Sequence, residues 1–179
     1  GNITKTRMDI RKEALPFMQA LHHQLQETVN LSIRQGDEMI YVERVAGNHL
    51  AIRVTHLIGA KAPLHVTAVG KLFLIEDGED KSLNYIQRNG LKVFTKNTIK
   101  DSRILFAELR KIKVQGYAFD NEEAEAGLSC IGAGIYDDSN ALVAGLSISA
   151  PSHRLNRDWG RRIKAAADEI SAVLGSTKS

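Results

Sequence analysis

Between residues 10 and 25 the apolar side chains fall at Ile10, Ala14, Phe17, Leu21 and Leu25. Spacings of three and four predict one stripe of an amphipathic helix, with Pro16 as a local irregularity. The period then changes to two. In residues 29–34, Val29, Leu31 and Ile33 alternate with Asn30, Ser32 and Arg34, and residues 39–45 follow as a second strand. Gln35-Gly36-Asp37-Glu38 between them reads as a hairpin turn. A third short strand is predicted at 50–54, after the Gly47-Asn48 break.

The middle of the chain returns to helical spacing. Thr67 is placed to cap a helix running to Ile75, and a second helix is expected over 81–88. Asp101 can cap a third, in which Leu105, Leu109 and Ile112 form the stripe before Gly116 stops it. Three strands then return at 117–122, 129–137 and 141–150, the last two joined by Asp137-Asp138-Ser139-Asn140. A final helix carries Trp159, Ile163, Ala166, Ile170 and Leu174 on one face. Hairpin-linked strands on either side of a helical insert predict an α+β fold with an antiparallel sheet, not a doubly wound one.

Composition narrows the class without naming a task. Hydrophobic residues make up 43% and charged residues 25% of 179, which excludes a disordered, collagen-like or low-complexity chain. The single cysteine, Cys130, excludes an internal disulfide framework and fits a reducing cytoplasm. The longest stretch without Asp, Glu, Lys or Arg is 139–153, shorter than the roughly 20 residues of a membrane helix. The net charge of +3 is mild, but it hides a division. Residues 88–113 carry eight Lys or Arg against two acids, whereas 116–138 carry six acids and no Lys or Arg. The basic segment lacks a helix-turn-helix partner and an aromatic-rich sheet, so a solvated helix face or subunit contact accounts for it better than DNA.

The last hairpin has an unusual division of sizes. Ser129, Ile131, Ala133 and Ile135 point one way on the first strand, and Cys130, Gly132, Gly134 and Tyr136 the other. On the second strand Leu142, Ala144, Leu146 and Ile148 oppose Val143, Gly145, Ser147 and Ser149. If the small faces coincide, they leave room either for a ligand or for a closely packed helix. Thr67 and the small residues after it expose N–H groups around Ala68 and Val69, an anion site in chemical terms or an ordinary capped helix. In Asp120-Asn121-Glu122-Glu123-Ala124-Glu125, Asp120 and Glu122 are expected on one strand face and Glu123 on the other, as surface carboxylates. A nucleophilic role for Cys130, as in a small-molecule hydrolase or transferase, lacks a recognisable histidine partner. His65, Asp120, Glu122 and Cys130 lack metal-ligand spacing, so no metal or cofactor is assigned.

Over these segments the chain resembles the effector-binding domain of the IclR family of bacterial transcriptional regulators. The likeness runs from Glu27-Thr28-Val29-Asn30-Leu31 through Pro63-Leu64-His65-Val66-Thr67-Ala68-Val69-Gly70-Lys71 and Phe94-Thr95-Lys96-Asn97-Thr98-Ile99. It continues in Gly116-Tyr117-Ala118-Phe119-Asp120-Asn121-Glu122-Glu123 and Gly127-Leu128-Ser129-Cys130-Ile131, and ends in Leu146-Ser147-Ile148-Ser149-Ala150-Pro151 with Arg154. The resemblance implies a GAF-like domain with a curved antiparallel sheet of about six strands and flanking helices. Residues 1–26 would be a connector and N-terminal helix, and 27–179 the effector domain. A small organic acid would bind Ala68 and Val69 through backbone N–H groups, with Asp120, Cys130, Ser147 and Ser149 on the polar side. Leu50, Val54, Ala62 and Leu128 would form an apolar wall. The family further implies a cytoplasmic homodimer or homotetramer that meets operator DNA through a winged helix-turn-helix, which is not found ahead of Ile10.

Overall fold

The structure, a computed structural model, describes residues 2–47 and 58–178. A long helix α1 (Asn2–Leu25) leads into the hairpin β1 (Thr28–Gln35) and β2 (Glu38–Val45). A short edge strand β3 (Lys61–Pro63) follows, then helices α2 (Ala68–Asp77), α3 (Glu79–Asn89) and α4 (Ser102–Gln115). Strands β4 (Ala118–Asn121), β5 (Leu128–Tyr136) and β6 (Leu142–Pro151) precede α5 (Trp159–Val173). The strand predicted at 50–54, with Leu50 and Val54, lies outside the described residues. The third strand that is described, β3, was not foreseen.

The strands form one antiparallel sheet in the order β3-β2-β1-β6-β5-β4. The two halves of the chain join through β1 and β6, where Asn30 faces Ser147 and Thr28 faces Ser149. Turn chemistry sets the ends of the elements. Gly36 takes φ 63° in the β1–β2 turn, and Asn140 takes φ 59° between β5 and β6. Asp101 accepts from the Arg103 N–H at the start of α4, and Gly116, left-handed at φ 87°, stops it. α1 runs unbroken through Pro16.

Alternation along the strands gives the sheet two unlike faces. On one, Val29, Leu31, Ile131, Ala133, Ile135, Ala144, Leu146 and Ile148 pack against α1 and α5 in one apolar cluster. α1 contributes Ile10, Ala14, Met18 and Leu21 to it, so this helix is part of the core. Helices α2, α3 and α4 cover the other face around Leu64, Leu72, Leu74, Leu105, Leu109 and Ile112. The basic segment leaves Arg103, Arg110, Lys111 and Lys113 exposed on the outside of α4.

Candidate functional site

Thr67 begins the site. Its backbone is extended, and its hydroxyl oxygen accepts the Gly70 N–H at 3.0 Å while its carbonyl accepts the Lys71 N–H at 3.2 Å. These bonds satisfy the donors of the first turn beyond Val69. The N–H groups of Ala68 and Val69 stay available at the positive end of the helix. Immediately upstream, His65 fixes the approach: one ring nitrogen pairs with the Tyr85 hydroxyl at 3.0 Å and the other with the Lys92 carbonyl at 2.9 Å.

The small faces of β5 and β6 do coincide: Cys130 faces Ser149, Gly132 faces Ser147, and Gly134 faces Gly145. The two readings of that surface each hold for half of it. A Cβ on Gly145 would lie 2.1 Å from Val69 Cγ1, and one on Gly132 would lie 3.1 Å from Val69 Cγ2. The glycines are therefore the seat of α2, brought close enough to aim its N-terminus at the sheet. Beyond this seat a narrow cleft of about 10 Å³ remains, room for about one water, lined by Ser32, Tyr41, Thr67, Ala68, Val69, Asp120, Cys130 and Ser147. Ser149 lies next to it, accepting from Asn30 Nδ2 at 2.8 Å and standing 3.3 Å from the Cys130 sulfur. Ala62 and Leu128 do not border this cleft. A larger open cleft of about 400 Å³ runs along α2, α4 and α5, but it takes only Gly134 and Tyr136 from the small-residue face of β5 and none of Cys130, Ser147 or Ser149. Two of its lysines are engaged by acids, Lys164 with Asp168 at 2.7 Å and Lys178 with Glu76 at 3.6 Å.

The acidic run is not a solvated surface. Strand β4 ends at Asn121, and Glu122 turns out of it at φ 57°, so it shares no strand face with Asp120. Asp120 is 4% exposed and Glu123 only 5%. Lys71, fully buried on α2, explains why these acids can be inside. Its ammonium donates to the Phe119 carbonyl at 2.7 Å and lies 2.8 Å from a Glu123 carboxylate oxygen. The Glu123 N–H in turn donates to Asp120 Oδ1 at 2.8 Å. One ion pair thus clamps the start of α2 to the end of β4, on opposite sides of the cleft.

Burial, and then the charge of Glu123, push the Asp120 carboxyl up to about 7 from an ordinary 3.8. Burial also pushes the Cys130 thiol up, and the charge of Asp120 pushes it further the same way. That is the opposite of what a thiolate nucleophile needs. The four residues weighed as metal ligands are not brought together: both His65 nitrogens are engaged elsewhere, and Glu122 accepts from the Gly127 N–H. Among the described residues no three His, Cys, Asp or Glu side chains converge.

Sequence reasoning missed Ser32, Tyr41, Lys71, Glu123 and Asn30. The alternation in β1 had placed Asn30 and Ser32 on one face, but nothing local marked that face as covered. Lys71, three residues after the start of an apolar helix, carried the one readable signal: a charge at a position due for burial.

A GAF-like α+β domain with an anion-ready helix start over a polar cleft defines a small-molecule-binding class of sensor domain. The family profile described as "Bacterial transcriptional regulator IclR C-terminal" matches residues 3–172, and the chain belongs to this family. The HTH-type transcriptional repressor AllR of Escherichia coli K12 is 36% identical over 171 residues, 93% of this chain and 63% of the repressor. The chain thus spans under two thirds of that relative's length. The crystal structure of Thermotoga maritima IclR superposes with a TM-score of 0.85 at 36% identity, covering 93% of this chain and 69% of that one. An IclR homologue from Microbacterium hydrocarbonoxydans, solved with 4-hydroxybenzoate, superposes at 0.86 with 21% identity, over 94% and 69% of the two chains. At that identity the likeness concerns the fold.

Proposed function

We propose that this chain is a sensor module that binds a small organic acid in the cleft beside α2 and reports its presence to a DNA-binding domain outside the chain. The observation that carries the reading is the pair of N–H groups of Ala68 and Val69 at the edge of a cleft whose opposite wall is Asp120, Cys130 and Ser147. A carboxylate seated on the two N–H groups gains charge-assisted hydrogen bonds and the favourable end of the helix dipole. Ser147 and Ser149 supply hydroxyls, and Asp120 in its neutral form supplies a donor where a carboxylate would repel. Of the apolar wall expected from Leu50, Val54, Ala62 and Leu128, the first two lie outside the described residues and the last two stand off the cleft. The 4-hydroxybenzoate held by the Microbacterium homologue is an organic acid and supports the class of ligand, not its identity.

In the full-length regulator, a winged helix-turn-helix would contact operator DNA, with residues 1–26 as connector and 27–179 as effector domain. The assembly is a cytoplasmic homodimer or homotetramer, and the effector acts by favouring one arrangement of subunits. The domain needs no cofactor or metal and turns nothing over. A hydrolase or transferase using Cys130 is disfavoured by its buried, neutral thiol. A thermal-shift screen of sugar acids, keto acids and aromatic acids tests the reading. A stabilising acid should lose its effect on Asp120→Ala, Ser147→Ala or Ser149→Ala; shifts that survive all three changes would refute the assignment.

A further inference from the structure

The larger cleft lies toward the other end of α2 from Ala68 and Val69. Its apolar floor is Leu72 and Ile75 of α2 with Ile112 of α4, which is fully buried. At about 400 Å³ it falls in the range of small-molecule pockets, which are mostly apolar with a few placed polar groups.

The rim is charged, and its charges do not balance. Lys164 is engaged by Asp168 and Lys178 by Glu76. Lys113 of α4, the third lysine, enters no ion pair among the described residues. One positive charge is therefore left over beside the apolar floor. The place of Lys178 is set by the segment after α5. Ser176 Oγ donates to Asn140 Oδ1 at 2.8 Å, the Thr177 N–H donates to the same oxygen at 3.0 Å, and Asn140 Nδ2 donates to Thr177 Oγ1 at 3.0 Å. So pinned, the segment holds the Lys178 ammonium 4.1 Å from the centre of the Tyr136 ring. Tyr136 is held from α5 in turn, its N–H donating to Ser171 Oγ at 2.9 Å. Burial raises the Tyr136 pKa, so its hydroxyl stays a neutral donor.

A neutral apolar molecule would use the floor and leave the surplus charge unmet, and a cation would add to it. A small inorganic anion would meet the lysine and leave the floor bare. A flat organic monoanion answers both, and the positive rim draws it in. We infer that this cleft is a second ligand site, which takes an aryl carboxylate with its rings on Leu72, Ile75 and Ile112 and its carboxylate toward Lys113. The inference stands apart from the reading of the cleft beside Ala68 and Val69, with which it shares no residue.

The test titrates 2-naphthoate, its neutral amide 2-naphthamide and acetate into the chain, followed in amide proton–nitrogen spectra. Naphthoate should bind saturably and shift the amides of residues 112–116, 134–136 and 164–168. It should bind more tightly than naphthamide by a factor of about two to five, the worth of one exposed ion pair. Acetate should leave these amides unmoved at the same concentration. Lys113 is exposed, so its replacement does not threaten the fold. In Lys113→Gln the ratio of the naphthoate and naphthamide Kd values should fall to near one, and in Lys113→Glu the amide should bind the more tightly. Naphthoate that shifts none of these amides, or chiefly those of Ser32, Cys130 and Ser147, would overturn the site. A ratio near one in the unsubstituted chain, or a preference for the acid that survives Lys113→Gln, would overturn the assignment of its carboxylate. Acetate binding as tightly as naphthoate would overturn the role of the apolar floor.

Discussion

The two faces of the sheet are made by alternate residues of the same strands, yet they do opposite things. Leu146 and Ile148 are fully buried against the helices α1 and α5, in a cluster of apolar side chains. Ser147 and Ser149, their immediate neighbours, are buried at 5% and 2% on the other face, among Asn30, Cys130 and Thr28. The first face gains stability from apolar area removed from water. The second gives stability up: it keeps short polar groups, glycine seats and unmade hydrogen bonds where apolar side chains would pack better. One rigid face allows the other to be built for recognition, and a strand shifted by one residue would exchange the two.

The sharpest break in that comparison is at Lys71. On the dry face, Leu146→Ala removes apolar contacts and is expected to cost about 2–5 kcal/mol in urea unfolding. Lys71→Met adds apolar atoms on the wet side, yet it strands the buried Glu123 carboxylate and is expected to cost about 3–5 kcal/mol. The double variant Lys71→Met/Glu123→Leu should recover most of that loss. If it is no more stable than Lys71→Met, the ion pair is not what holds this side together.

Gly145 tests the boundary between the seat and the cleft. An alanine Cβ there meets Val69 Cγ1 and Cγ2 at 2.1 and 2.6 Å, so α2 must shift or tilt. Gly145→Ala should cost about 1–3 kcal/mol in unfolding. It should weaken carboxylate binding as well, because it displaces the Ala68 and Val69 N–H groups. Loss of stability with unchanged affinity would detach the glycine seat from the anion site.

The unequal legibility of the two faces has a physical cause. The apolar side announces itself by period: Val29-Leu31-Ile33 and Leu142-Ala144-Leu146-Ile148 were readable as strands, and Leu105-Leu109-Ile112 as a helix. Glycine and serine at alternate positions of β5 and β6 marked the polar side and brought Cys130, Ser147 and Ser149 to notice. Asn30 and Ser32 were invisible as buried residues beside the site, because a polar residue in an alternating strand reads as solvent-facing until α2 is known to cover that face. The pair Lys71–Glu123 joins residues 52 positions apart, a contact that no local pattern specifies. For the same reason the acidic run read as surface.

Asp120 links the wet face to pH. Its carboxyl titrates near 7 in the folded chain and near 3.8 when unfolded. Between those values the native state holds a proton that the unfolded state has released, so stability falls as pH rises from about 4 towards 7. A bound carboxylate also favours the neutral acid, so its affinity should fall by up to about tenfold per pH unit above 7. Asp120→Asn should flatten the pH profile of binding. A profile that keeps its slope in Asp120→Asn would place the titrating group elsewhere.

The smallest expected effect on stability falls one residue away from one of the largest. Ser147 borders the cleft, and no hydrogen bond ties its hydroxyl to another described residue, so its removal unmakes no protein contact. Ser147→Ala should leave the unfolding free energy within about 0.5 kcal/mol of the parent, while Leu146→Ala loses several times that. In titrations with a small carboxylate the order should reverse. Ser147→Ala loses one ligand hydrogen bond, about three- to tenfold in Kd, and Leu146→Ala, facing α1 and α5, should bind nearly as the parent does. Stability and affinity moving together in both variants would mean that the two faces are not separable, and that the sheet transmits packing changes straight through to the cleft.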